Sequence, residues 1–122
     1  MATILIRFTQ TPYGNQISQD GLDFALAATN YGHDVKVLFE GDGVLQLAKT
    51  DSLKGLKNHS KRLASLPFFD IEDCYVCKES AAMLGIAHTL ANSELIEALE
   101  GQWVDAQSRI NLIDSVDHVV TF

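Results

Sequence analysis

The sequence predicts an α/β domain, a parallel sheet with helices on both faces. Short apolar, β-branched runs alternate with segments of helical periodicity from one end of the chain to the other. The first run, Thr3 to Phe8 (T-I-L-I-R-F), is nearly continuous in apolar character, as in a strand covered on both faces. Turn residues follow the first two runs, so the loops gather at the carboxyl ends of the strands, where such sheets carry their functional crevice.

After the first strand, Thr9 to Asn15 holds Pro12 and Gly14 and reads as a loop. A helix is expected over Ser18 to Asn30, with Ile17, Leu22, Phe24, Ala25, Leu26 and Ala28 as its apolar face and Asn30 with Gly32 as its stop. Asp34 to Phe39 (D-V-K-V-L-F) is the second strand, followed by a tight turn at Glu40 to Gly43 and a short helical piece at Val44 to Ala48. Thr50 to Ser65 reads as a Lys-rich helix or two helical turns that Pro67 ends; Lys54, Lys57, Lys61 and Arg62 form a solvated face. Asp73 to Val76 is the third strand, and Lys78 to Leu84 a helix closed by Gly85.

Beyond Gly85 the signals compete. Asn92-Ser93-Glu94 caps a helix through Glu100 on local propensity, whereas an alternating fold wants a strand over Leu95 to Leu99. Trp103 to Val116 reads as helix, and Asp117 to Phe122 closes the chain as a last strand. With no repeat, linker or low-complexity tract, residues 1–122 are expected to form a single domain.

Composition bounds the function. A chain of 122 residues with 47% hydrophobic and 20% charged residues buries a core without disulfides or metals, with some apolar surplus for partners. A net charge of −7 and a pI near 4.8 exclude direct binding of a phosphate backbone, which requires clustered Lys and Arg. No run approaches membrane-spanning length, and no signal peptide is recognisable. Two cysteines without a secretory signal predict free thiols in a reducing cytoplasm.

The chemistry centres on those cysteines, in D-I-E-D-C-Y-V-C-K-E-S-A-A-M-L-G. Cys77 stands where strand turns to helix, near unpaired N–H groups whose partial positive charge favours thiolate, so it is the candidate sulfur nucleophile. Cys74 lies inside the strand and reads as core. Residues three apart on a strand face opposite sides, roughly 10 Å apart, whereas a disulfide requires Cα atoms within about 7 Å; the pair is not expected to close. One Cys pair and four scattered histidines (His33, His59, His88, His118) make no zinc site, and no nucleophile-elbow motif supports a hydrolase triad. Gly41 and Gly43 lack dinucleotide-fingerprint spacing, and Glu40 and Asp42 would repel an anion there. The same two charges would raise a nearby thiol pKa, against the helix start and Lys78. No cofactor or metal is expected.

Several stretches together resemble one family. I-R-F-T-Q-T-P-Y-G, D-G-L-D-F-A-L-A-A-T, F-E-G-D-G-V-L-Q-L, F-F-D-I-E-D-C-Y-V-C-K-E-S-A-A-M-L-G-I and D-H-V-V-T-F are similar to the TusC/DsrF group of the DsrE-like sulfur-relay proteins, across essentially the whole chain. The resemblance implies a three-layer α/β/α sandwich with a mostly parallel five-stranded sheet. It implies a cytoplasmic heterohexamer with TusB-like and TusD-like subunits, two copies of each, carrying sulfur as a cysteine persulfide. In the Tus branch sulfur passes from TusA through TusE to MnmA for 2-thiouridine at the tRNA wobble position; in the Dsr branch the relay serves oxidation of stored sulfur. Cys77 matches the position of the sulfur-carrying cysteine of the related DsrE/TusD subunit, eight residues before Gly85; this group's own subunit is implied to be mainly structural, with Cys77 a secondary persulfide site. Two further readings stay open: a self-sufficient persulfide sulfurtransferase, and a homo-oligomeric module binding a small ligand in a crevice between Tyr13 and Asp42.

Overall fold

A computed structural model describes residues 2–12, 16–48 and 54–122. The elements run β1 (Thr3–Phe8), α1 (Ile17–Asn30), β2 (Asp34–Phe39), a 3-10 segment (Gly41–Leu47), α2 (Lys54–Ala64), a 3-10 turn (Leu66–Phe69), β3 (Asp73–Cys77), α3 (Lys78–Met83), α4 (Ala87–Ala91), α5 (Glu94–Ala98), β4 (Gln102–Val104), α6 (Ala106–Ser115) and β5 (His118–Thr121). The strands form one sheet in the order β4-β3-β2-β1-β5. All four pairings are parallel, so the sheet is fully rather than mostly parallel.

Side-chain alternation sends the residues of β1, β2 and β3 to two different cores. Ile4, Ile6 and Phe8 of β1, Val35, Val37 and Phe39 of β2, and Cys74 and Val76 of β3 point to one face, where Leu22, Ala25 and Ala28 of α1, Leu63 of α2, Leu90 of α4 and Ile96 of α5 cover them. Phe8 and Phe39, paired across the β1–β2 ladder, stack with ring centroids 5.2 Å apart. The opposite face is covered by α6, whose Leu112 meets Leu5, Leu38 and Val104, with Tyr75, Ile113 and Val116 packed around them. The sandwich has three layers, and they are unequal.

That asymmetry follows from the connections. β1 to β2, β2 to β3 and β3 to β4 step outward in one direction, and α6 then carries the chain back across the sheet to place β5 beside β1. A right-handed crossover made in the reverse direction lands on the opposite face, which is why α6 and α1 flank the sheet.

Two expectations are corrected, the helix start at Trp103 and the stop at Pro67. Of the two readings open for Leu95 to Leu99 the helical one holds: α5 forms there under its Ser93 cap, with Ser93 Oγ accepting from the Ile96 N–H at 3.2 Å, and the fourth strand comes later. It lies at Gln102–Val104, in the stretch whose sequence reads as the start of a helix from Trp103. Glu100, at φ 51°, turns the chain out of α5. Asp105 then caps α6, its carboxylate accepting from the Ser108 N–H at 2.8 Å, so the helix begins only at Ala106. Pro67 does not act as a bare stop either: α2 ends at Ala64, and Pro67 opens the 3-10 turn that follows. The expected start of that helix, Thr50 to Leu53, lies outside the described residues.

Candidate functional site

Cys77 is the last residue of β3 and the N-cap of α3, with extended backbone (φ −73°, ψ 114°) and no capping hydrogen bond from its side chain. Alternation along β3 sends Cys74 into the α1-side core and Cys77 to the α6 side, so the sheet itself separates the two thiols. Both are free. Burial, followed by the neighbouring Asp73 charge, pushes the Cys74 thiol up to about 12, and that sulfur is held as an unreactive thiol.

Cys77 is only 3% exposed, yet it opens onto a cleft of about 250 Å³ at the carboxyl ends of the strands. Thr9 after β1, Glu40 and Gly41 after β2, Cys77 at the end of β3, Glu79, Ser80 and Met83 of α3, and Arg109 of α6 line it. The convergence of loops expected at this edge is therefore present. Tyr13 lies outside the described residues, and Asp42 is exposed on its 3-10 segment without lining the cleft, which leaves the Tyr13/Asp42 crevice without a described wall.

Glu40 carries the site's electrostatics. It is 6% exposed, a burial no carboxylate tolerates without counter-charge. Its Oε1 accepts from Arg7 Nε at 2.6 Å and also from Arg7 Nη2, and its Oε2 from Arg109 Nη1 at 3.4 Å. The expected negative field of Glu40 on Cys77 is corrected accordingly: the carboxylate sits between two guanidinium groups. Arg7, the one charge within an otherwise apolar strand, is thereby explained.

The loop bearing Glu40 is fastened at several points. Its N–H donates to the Phe8 carbonyl at 3.0 Å, and its own carbonyl accepts from the Gly43 N–H at 2.9 Å. Gly41, at φ 55°, donates its N–H to Ser80 Oγ at 2.8 Å, tying the loop to α3. Gly43 passes so close to β1 that a Cβ there would lie 1.8 Å from the Phe8 carbonyl oxygen. Farther along, Gln46 Nε2 donates to the Gln10 carbonyl at 2.9 Å, which turns its Oε1 toward His59 Nε2 at 2.8 Å. His59 is buried, and desolvation, followed by the Arg62 charge, lowers its pKa to about 4. A neutral imidazole thus braces the loop after β1 through Gln46.

Arg7, Arg109, Ser80, Gln46 and His59 were not among the residues the sequence singles out for the site. A charge inside an apolar strand was a usable signal for Arg7; Arg109, on a polar helix, offered none. Among the described residues no group of three or more His, Cys, Asp or Glu side chains is placed to hold a metal ion, and no helix is long and apolar enough to cross a membrane.

The geometry defines a doubly wound α/β domain with one thiol presented beside an arginine–carboxylate cluster. The DsrE/DsrF-like family model matches residues 2–122. Protein TusC homolog of Vibrio parahaemolyticus serotype O3:K6 is 36% identical over 89 residues, covering 71% of this chain and 75% of that protein. The chain therefore belongs to the DsrE/DsrF-like family, in its TusC/DsrF group. Among solved structures, the YchN protein of E. coli superimposes with a TM-score of 0.79 at 21% identity, over 100% of both chains. A conserved Bacteroides thetaiotaomicron protein of unknown function superimposes with a TM-score of 0.64 at 13% identity, over 98% of this chain and 94% of that one. Those two likenesses concern the fold.

Proposed function

We propose that this chain is a TusC-type subunit of a cytoplasmic sulfur-relay complex serving 2-thiolation of the tRNA wobble uridine. In this reading it completes a heterohexamer with TusB-like and TusD-like subunits, two copies of each, which takes sulfur from TusA and hands it through TusE toward MnmA. Its contribution is mainly architectural, with Cys77 as a secondary persulfide site. The observation that carries the chemical half is the placement of Cys77 in the cleft at the strand ends, beside Arg109 and Glu40. The relative named as a TusC homolog favours the tRNA branch over sulfur oxidation.

The transfer is balanced without an external oxidant. The Cys77 thiolate attacks the outer sulfur of a donor persulfide, R–S–SH; the new S–S bond forms as the donor's S–S bond breaks, and R–S⁻ departs. The proton stays with the transferred sulfur or goes to solvent, and the reverse step delivers it to an acceptor thiolate.

The architectural half rests on surface composition. Tyr31, Phe68 and Met83 are each more than four-fifths exposed, and Phe69, Leu84, Ile110 and Val119 are partly so. Obligate interfaces are apolar in this way, and an acidic chain meeting proteins rather than RNA fits the net charge of −7. Co-expression with TusB-like and TusD-like subunits should yield one stoichiometric complex, which Cys77→Ser leaves assembled. A chain that stays free of both partners would refute the reading.

A further inference from the structure

Two guanidinium groups converge on the single Glu40 carboxylate, so within that cluster one positive charge is in excess. They are not held alike. Arg7 grips Oε1 with both Nε and Nη2, whereas Arg109 reaches Oε2 through one contact of 3.4 Å, at the limit of a hydrogen bond. Arg109 also lines the cleft with Cys77, and Arg7 does not. The better-fixed arginine thus neutralises the buried acid, and the loosely fixed one faces the thiol's cavity. Ser80 adds a second donor: its Oγ has accepted the Gly41 N–H, which leaves its hydroxyl proton to be given elsewhere.

From this arrangement we infer that the cleft is a small-anion site built for anionic sulfur, with Arg109 as the positioning residue that holds the negative outer sulfur at Cys77. The inference rests on the reading of Cys77 as a persulfide carrier and names the group that would stabilise its charged form. A persulfide is a stronger acid than its parent thiol, so its outer sulfur carries the negative charge near neutral pH. A guanidinium presents a planar fork of donors to such a charge at no proton cost. The opposing charge in the lining is Glu79, which is exposed, so water and salt screen it more than they screen the half-buried Arg109.

The test compares two alkylating reagents of nearly the same size on the folded chain of 122 residues, followed on the Cys77 peptide by mass spectrometry. Iodoacetate carries the negative charge and iodoacetamide is neutral, so the ratio of their rates reports the charge of the cleft and cancels changes in thiolate fraction and access. Arg109→Gln should lower the iodoacetate-to-iodoacetamide ratio by roughly threefold to tenfold, the size expected for one nearby charge at high effective dielectric. Arg109→Lys should restore most of it, and Glu79→Gln should raise it above that of the parent chain. A ratio that does not move in Arg109→Gln overturns the inference, as does a Cys77 that neither reagent reaches in the folded chain. Failure of the carrier reading looks different: the ratio responds as described, but Cys77 gains no sulfur when the assembled complex is loaded.

Discussion

Replacing Gly43 with alanine should cost more than its chemistry suggests, and the structure supplies the size. The added Cβ would fall 1.8 Å from the Phe8 carbonyl oxygen, 2.5 Å from the Phe8 carbonyl carbon and 3.1 Å from the Thr9 nitrogen. All three are backbone atoms at the end of β1, an interior strand, so no side chain can swing aside. The 3-10 segment must instead lift by more than about 1 Å, a strain of overpacking that costs about 1–3 kcal/mol. Lifting it also stretches the Glu40 N–H to Phe8 carbonyl bond, now 3.0 Å, worth about 1 kcal/mol more. A total of about 3 kcal/mol corresponds to a fall in Tm of about 10 °C for a chain this long. Gly85→Ala is the matched control. Gly85 has a positive φ of 72° but nothing within 4 Å of the added atom, so it pays only the left-handed backbone cost of about 1 kcal/mol. Thermal unfolding followed by circular dichroism measures both. If Gly43→Ala melts no lower than Gly85→Ala, the close approach that shapes the cleft is wrong.

Other consequences follow from two of the buried titratable groups, His59 and Cys74. His59 has its pKa lowered to about 4, from 6.5 when unfolded, so between those values the unfolded chain binds a proton that the folded chain refuses. Its contribution to stability is therefore intact above pH 6.5 and declines as pH falls toward 4, by up to about 3 kcal/mol; urea unfolding at pH 7 and pH 4.5 should show the loss. His59→Gln, which keeps a donor for Gln46, should flatten that slope, and an unchanged slope would contradict the assignment. Cys74, with its thiol pushed up to about 12 and its face against the α1-side core, should resist iodoacetamide at pH 8 until the chain unfolds. Labelling of Cys74 at the rate of a free thiol in the native state would place it wrongly.

The parts of this molecule legible in sequence are those where local pattern and tertiary environment agree. β1 and β2 were bounded by their own residues, because a central parallel strand is apolar on both faces and a turn follows at once. α1 was legible through its apolar spacing, and β3 with α3 through the change from extended to helix-forming residues at Cys77. β4 was not legible. It has three residues, two of them exposed, at the sheet edge, and nothing in Gln102-Trp103-Val104 distinguishes it from the helix that follows. Its register beside Tyr75, Val76 and Cys77 is a purely tertiary fact.

The candidate site divides along the same line. Cys77 could be picked out because strand-to-helix junctions have a sequence signature, and Cys74 could be set aside because three residues along a strand change face. The charge balance could not be read. Glu40 in sequence is an acid in a glycine turn, and only the fold brings Arg7 from β1 and Arg109 from α6 onto its two oxygens, across separations of 33 and 69 residues. A field expected to oppose a thiolate is thereby offset.

The central claim is that Cys77 takes up sulfur while the chain serves as a subunit of the relay. The most direct measurement loads the co-purified complex with a persulfide donor and reads each cysteine peptide of this chain by mass spectrometry. The prediction is a gain of one sulfur atom on Cys77 and none on Cys74, with the gain lost in Cys77→Ser while the complex stays intact. A fully loaded complex in which Cys77 remains a bare thiol would contradict it, leaving this chain an architectural subunit.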